Sequence, residues 1–280
     1  MPSTVQDIVC YLLPFIAKAG DYSLRIQRNV GTHDAKDGAT AFHHALSDAD
    51  LTIQSYIEVA LLAKFPEVSF FCEERAQSLN AKYFVADARL EVLLDPIDGT
   101  RSYIDGRAQY QIICVVHDET EIVGAICFMP RRDMCYVATK GRGAYLLSHE
   151  DVRKGRMGVK ISADRLAIDA PVLMFNRPDL KERLDSHVDV RDLVDEYEKG
   201  EHEGYTSTGL IDGRAAGVIM SPCQAIDGGA LAFIAKEMGA IVTDFEGKPV
   251  GSYRESPDRV APGVVVATTK DLHAHLLAVL

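Results

Sequence analysis

The chain has 280 residues, is 47% apolar and 25% charged, and carries a formal charge of 30 − 41 = −11. That length supports one large domain or two modest ones around a real core, and the composition is that of a soluble globular protein. The acidic balance excludes nonspecific nucleic-acid binding, which needs a basic face, and requires bound cations if the substrate is an anion.

Taken in chain order, Ser3 or Thr4 can cap a first helix with Val5, Ile8, Val9, Leu12, Phe15 and Ile16 at helical spacing. Pro14 is expected to bend that helix or mark its boundary. The stretch from Val30 to Phe42 has loop composition. SDADLTIQSYIEVALLAKFP then predicts a helix opened by a Ser47–Asp50 capping box and stopped at Pro66. VSFFC (68–72) reads as a strand running into Glu73 and Glu74, and EVLLD (91–95) as one running into Asp95. Residues 109–147 read as an antiparallel meander of three strands, YQIICVV, EIVGAICF and MCYVAT. The second half predicts a strand at PVLMF, charged helical sequence to Lys199, and a strand at Ala216–Met220. A helix over 227–238, strands at 240–243 and 264–267, and a helix after Thr269 follow. This order divides the chain into an N-terminal α+β half, 1–147, and a C-terminal α/β half, 148–280.

The six cysteines, Cys10, Cys72, Cys114, Cys127, Cys135 and Cys223, form no C-x-x-C pair, so buried reduced thiols and a cytoplasmic location are expected. The start MPSTVQDIVCYLL lacks a basic segment and carries Asp7, so no signal peptide is expected. No apolar run has the length of a membrane span.

The acidic residues carry the chemistry. Asp50 lies in a first helical turn, Glu73 and Glu74 end a strand, Asp95 and Asp98 end another, and Asp227 opens a helix. Singly, Asp50 and Asp227 read as helix caps. Two acids behind a buried strand are not explained by turn formation, because close carboxylates disfavour each other's ionisation unless a positive charge lies between them. Oxygen donors without nearby Cys or His suit a hard divalent ion, Mg²⁺ first and then Mn²⁺ or Ca²⁺.

D-P-I-D-G-T (95–100), behind a hydrophobic strand and after a strand ending in E-E, resembles the inositol monophosphatase superfamily of Mg²⁺-dependent, lithium-sensitive phosphatases. SDAD (47–50), FCEE (71–74) and DGGALAFIAKEMGA (227–240) resemble three further family motifs in the same order. The resemblance implies a layered αβαβα sandwich combining α+β and α/β parts. It places metal ligands on Glu73, Asp95, the Ile97 carbonyl, Asp98 and Asp227, with two or three Mg²⁺ ions. It places the water-activating hydroxyl on Thr100, with Glu73 and Asp50 in support, and phosphate-binding N–H groups on Gly99 and Thr100. It further implies a homodimer acting on a small phosphorylated metabolite, with no nucleic-acid or membrane partner.

Departures from the family pattern bear on substrate. Ile226 stands where relatives carry Trp, and Met220 stands where inositol-phosphate enzymes carry a Glu for sugar hydroxyls. A register shift could give that role to Glu203. Arg101 and Ser102 resemble relatives acting on histidinol phosphate or nucleotide phosphates, so Met220 and Arg101 are the candidate specificity residues. Inositol monophosphatase, bisphosphate nucleotidase, histidinol-phosphatase and fructose-1,6-bisphosphatase activities all stay open, as does an inactive binding or scaffold relative. The D-x-D of haloacid dehalogenases is one residue too short to match. The GRG at 141–143 lacks the third glycine of a nucleotide fingerprint, and adjacent His43 and His44 do not share a zinc-binding face.

Overall fold

A computed structural model describes residues 4–27, 48–175, 177–184, 188–198 and 205–280. The loop read at 30–42, Ser47 of the expected capping box, the adjacent histidines and Glu203 lie outside the described residues. The chain divides into two compact units, one of residues 1–118, 123–137 and 145–159, the other of 119–122, 138–144 and 160–280. It therefore passes into the second unit twice before its main run there.

In the first unit, α1 (Val5–Ile26) starts with a capping box: the Thr4 side chain accepts from Asp7 N–H and the Asp7 carboxylate accepts from Thr4 N–H. α1 is continuous through Pro14, so the proline marks no boundary. Ile8, Val9, Leu12 and Leu13 before or beside the proline, and Ile16 and Ala17 after it, are all buried in one core. That packing outweighs the lost backbone bond. α2 (Asp48–Lys64) joins the same core through Ala49, Ile53, Ile57 and Leu61, and Phe65 closes its last turn.

A seven-stranded sheet follows in sequential order: β1 (Ser69–Cys72), β2 (Glu91–Asp98), β3 (Gln111–His117), β4 (Ile122–Met129), β5 (Met134–Thr139), β6 (Gly143–Leu147) and β7 (Val159–Ile161). The short helix α3 (Thr100–Ile104) lies between β2 and β3, and α4 (His149–Arg153) between β6 and β7. β1 pairs parallel to β2, and β2 antiparallel to β3. The three strands read in the sequence are present, while β6 and β7 extend the sheet beyond them. Those two have half-exposed residues and glycine-bounded ends, so they carry little apolar alternation to read.

The second unit holds β8 (Val172–Phe175), α5 (Pro178–Leu184), β9 (Val190–Asp192), α6 (Leu193–Glu198), β10 (Gly217–Met220), β11 (Cys223–Gln224), α7 (Ala230–Met238), β12 (Ile241–Thr243), β13 (Val260–Ala261), β14 (Val264–Ala267) and α8 (Lys270–Val279). Its five-stranded sheet has the order β12-β14-β10-β8-β9 and is mixed: β10 runs parallel to β8 and antiparallel to β14. β9 interrupts the run read as charged helix. Three residues paired parallel to β8 make a strand too short to stand out among Arg and Asp neighbours. Met174, Leu180, Leu184, Ile219, Val265 and Leu276 form this unit's core. Thr269 caps α8 by accepting from Leu272 N–H. Among the described residues no helix is long and apolar enough to cross a membrane.

Candidate metal centre

The D-P-I-D segment belongs to β2 itself rather than to a turn behind it. Asp95 pairs with Ile113 and Asp98 with Gln111, so three steps along β2 match two along β3. This register shift is a β-bulge. In a regular strand, residues three apart point to opposite faces. The extra residue restores the phase, so Asp95 and Asp98 share one face of the sheet. Core membership agrees: Leu94 and Ile97 on β2, and Ile112, Cys114 and Val116 on β3, all face the helical core. Asp95, Asp98, Gln111 and Ile113 therefore face away from it.

Both carboxylates are shielded. Asp95 is buried, and its Oδ1 accepts from Ile97 N–H at 3.0 Å. Burial pushes the Asp98 carboxyl above the usual carboxylate range, while hydrogen bonds from the Gln111 side chain and the Gly99 backbone pull it down. The Ile97 carbonyl accepts from Thr100 Oγ1 at 2.9 Å. Gly99 between them has φ +83°, and a Cβ there would lie 2.7 Å from the Gln109 carbonyl oxygen, so only glycine fits. The end of α1 holds the following turn: Tyr103 Oη donates to the Ser23 carbonyl at 2.7 Å, and Gln27 Nε2 donates to the Tyr103 and Arg107 carbonyls.

Glu73 follows the last β1–β2 pair, Cys72 with Leu94, and donates its N–H to the Leu94 carbonyl, which stands it beside Asp95. Glu73 is exposed, whereas Glu74 is buried with its carboxylate accepting from Gln77 Nε2. Asp50 is buried in the first turn of α2, and its charge helps to raise the Tyr103 hydroxyl, after burial and the neighbouring tyrosines. Arg101 is half-exposed and pairs with Asp105 one turn on, at 3.1 Å.

In the second unit Asp227 sits in a π turn, Ala225–Gly229, with φ −136° and ψ −107°, and α7 starts only at Ala230. Gly239, twelve residues on, ends α7 in the left-handed conformation (φ 113°). Met220, the last residue of β10, is buried. A Cβ on Gly228 would lie 2.1 Å from its Sδ, so the thioether fills the space over the backbone next to Asp227. Burial, and then the Cys223 thiol and the Asp227 charge, raise the Tyr253 hydroxyl well above its ordinary value. A cavity of about 640 Å³ in this unit is bounded by Glu121, Phe233, Lys236, Thr243 and Tyr253, and none of the candidate site residues lines it.

Among the described residues, no three acidic, histidine or cysteine side chains are gathered closely enough to hold an ion by themselves. The donor set still fits Mg²⁺. That ion is bound through one or two carboxylates and keeps several waters or substrate oxygens. Asp95, Asp98 and the Ile97 carbonyl supply hard oxygens on one bulged segment, with no thiolate or imidazole to favour a softer ion. Sequence reading missed Gln111. Its only signal was a polar residue opening an otherwise apolar strand.

Mixed sheets with helices, and an acid pair sharing one face of a bulged strand end, define the class of protein: a layered α/β fold. The Inositol monophosphatase family model matches residues 15–280, so the chain belongs to that family. A Neisseria meningitidis protein named "Putative Nus factor SuhB" is 28% identical over 264 residues, covering 92% of this chain and 95% of that one. The 3'(2'),5'-bisphosphate nucleotidase CysQ of Aggregatibacter actinomycetemcomitans is 25% identical over 280 residues, covering 97% and 96%. A staphylococcal inositol monophosphatase soaked in LiCl superposes with TM-score 0.74 at 18% identity, covering 100% of this chain and 96% of that one, which shows the shared fold.

Proposed function

We propose that the protein is a Mg²⁺-dependent phosphatase that hydrolyses a small phosphorylated metabolite. The observation that carries this reading is the shared face of Asp95 and Asp98, with the Ile97 carbonyl and Thr100 hydroxyl in the same segment. Asp95, Asp98 and the Ile97 carbonyl would hold an ion, with Glu73 beside Asp95 and Asp227 as the further ligands that the resemblance implies. When bound, Mg²⁺ supplies positive charge to the phosphate and lowers the pKa of a coordinated water.

Thr100 spends its only proton on the Ile97 carbonyl. Its oxygen keeps lone pairs, so toward a water molecule it acts as an acceptor. Accepting a water proton there turns the water's own lone pair outward, toward phosphorus. Glu73 is proposed to orient the same water through its other proton, and Asp50 to support Thr100, as the resemblance implies. The N–H groups of Gly99 and Thr100 are the proposed phosphate contacts. Arg101 and Met220 are proposed to bias the choice of leaving group, Arg101 from the surface of α3 and Met220 by packing under the Asp227 turn. Homodimer formation and lithium inhibition belong to the same reading and rest on the resemblance; a cytoplasmic location is proposed from the reduced cysteines.

A second reading is a binding protein without turnover, favoured by the name of the Neisseria relative. Phosphate release from inositol 1-phosphate, histidinol phosphate, a 3',5'-nucleotide bisphosphate and fructose 1,6-bisphosphate separates the two. Release with Mg²⁺ that stops after dialysis against EDTA and returns with Mg²⁺ supports the phosphatase. Full activity in excess EDTA, or none on any ester, removes it.

A further inference from the structure

β3 opens with Gln111, a buried amide ahead of the apolar run IICVV. A buried amide is costly unless both of its ends find partners. Gln111 Nε2 donates to Asp98 Oδ2, and Gln111 Oε1 accepts from the Cys127 thiol on β4. The carboxylate sets the sense of the amide, because it can only accept: flipped, the amide would turn its oxygen onto a carboxylate oxygen. The thiol then donates to the oxygen end and holds it. Cys127, Gln111 and Asp98 thus form a three-member chain across β4, β3 and β2.

We propose that Gln111 is a positioning residue for Asp98, presenting that carboxylate in a fixed orientation to the divalent cation; this rests on the reading of Asp95 and Asp98 as its ligands. The amide suits the task because it is neutral. It holds one carboxylate oxygen while leaving Asp98 its negative charge. A lysine or arginine at this place would hold the carboxylate as firmly but would offset the charge that attracts the ion. Cys127 acts one step further back, by fixing the amide. A residue that orients a ligand in advance lowers the ordering that binding demands, and loss of such a partner weakens metal affinity.

The test is Mn²⁺ binding to the whole chain, followed by electron paramagnetic resonance of the free ion and paired with Mg²⁺ titrations of phosphatase activity. Gln111→Met keeps the size of the side chain and removes both hydrogen bonds; Gln111→Ala is the second variant, and circular dichroism checks both for folding. Both should bind Mn²⁺ about tenfold more weakly than the parent. The Mg²⁺ concentration for half-maximal rate should rise by the same factor, with kcat at saturating Mg²⁺ within about twofold of the parent. Cys127→Ser keeps a donor to Oε1 and should bind Mn²⁺ like the parent, whereas Cys127→Val should weaken binding. Folded Gln111→Met with unchanged Mn²⁺ affinity overturns the proposal, as does a loss confined to kcat. Asp95→Asn is the control for the underlying reading. If Asp95→Asn binds Mn²⁺ as tightly as the parent, the acid pair is no metal site and the proposal falls with it. If Asp95→Asn loses the ion and Gln111→Met does not, only the role of Gln111 is overturned.

Discussion

Asp95 and Asp98 lie on the same face of one strand although they are three positions apart, because the bulge between their pairings with Ile113 and Gln111 absorbs one residue. The Pro-Ile pair inside the motif is that extra length. Pro96 has no N–H to give to a ladder, which suits a bulge. Ile97 turns its side chain into the core while its N–H and C=O serve Asp95 and Thr100. The core thereby anchors the segment that carries the acids.

Asp95→Asn keeps the shape of the side chain and the acceptor for Ile97 N–H, and removes one charge from the pair. Phosphate release should fall by more than the roughly 10–100-fold typical of residues one shell behind a metal ligand. Circular dichroism and the unfolding midpoint should stay close to the parent. Turnover near the parental value in a folded variant would show that Asp95 holds no ion.

Gly99→Ala tests the turn itself. Left-handed backbone costs an L-residue roughly 1–2 kcal/mol, and here the new Cβ also meets the Gln109 carbonyl at 2.7 Å. A lower urea midpoint with unchanged slope is the expected result, together with a loss of activity larger than the stability change explains. Unchanged stability would mean that the turn relaxes freely and that glycine is not required for its conformation.

Much of this arrangement was legible in the sequence. The N-terminal cap, read as Ser3 or Thr4, the α2 pattern and the meander each rest on local chemistry that a one-dimensional reading can follow, and the Asp227-to-Gly239 spacing on a motif resemblance. The shared face of Asp95 and Asp98 at the end of β2 was not, because a bulge is defined by the partner strand and leaves no periodicity of its own. That Pro14 marks no boundary was hidden for a similar reason: its cost is local, while the burial of Leu12, Leu13, Ile16 and Ala17 that offsets it comes from other elements. Gln111 became meaningful only when three strands brought Asp98 and Cys127 to its two ends.

The GRG loop, read as no nucleotide motif, has a structural partner instead. The Glu237 carboxylate accepts from the N–H groups of Gly141 and Gly143, both at positive φ, at 3.0–3.1 Å. Such a concave pair of N–H groups favours an anion. Glu237→Ala should destabilise the chain by about 1–3 kcal/mol, the cost of a lost charge-assisted bond. Chemical denaturation measures it, and kcat at saturating Mg²⁺ should not change. An unaltered midpoint would leave the loop held by its own backbone.

Thr100 provides a sharper test of the proposed chemistry. Its hydroxyl donates to the Ile97 carbonyl and leaves its lone pairs to accept a hydrogen bond from water. Thr100→Ser preserves that hydroxyl and should retain most of kcat. Thr100→Ala removes it and should lower kcat more than it raises KM, since an interaction that orients the attacking water acts on the chemical step rather than on substrate binding. The reverse split would assign Thr100 to the substrate phosphate.

The cysteines give a prediction independent of any substrate. All six are free thiols; five are buried and only Cys10 is half-buried. Burial pushes Cys72, Cys114 and Cys223 up to about 12, with the Glu58 charge adding to the effect at Cys72 and a bond from Tyr253 opposing it at Cys223. The thiolate is the reactive form, so at pH 8 these groups are held in the inert state as well as out of reach. Iodoacetamide added to the native protein should therefore modify at most Cys10, as read by intact mass, and all six sites should react after unfolding in guanidinium. Raising the pH to 9 should add no second label, since the thiols of Cys72, Cys114 and Cys223 still lie about three units below half-ionisation. Rapid labelling of Cys72 in the folded chain would show that β1 opens readily, and would place the strand before Glu73 among the least stable parts of the first unit.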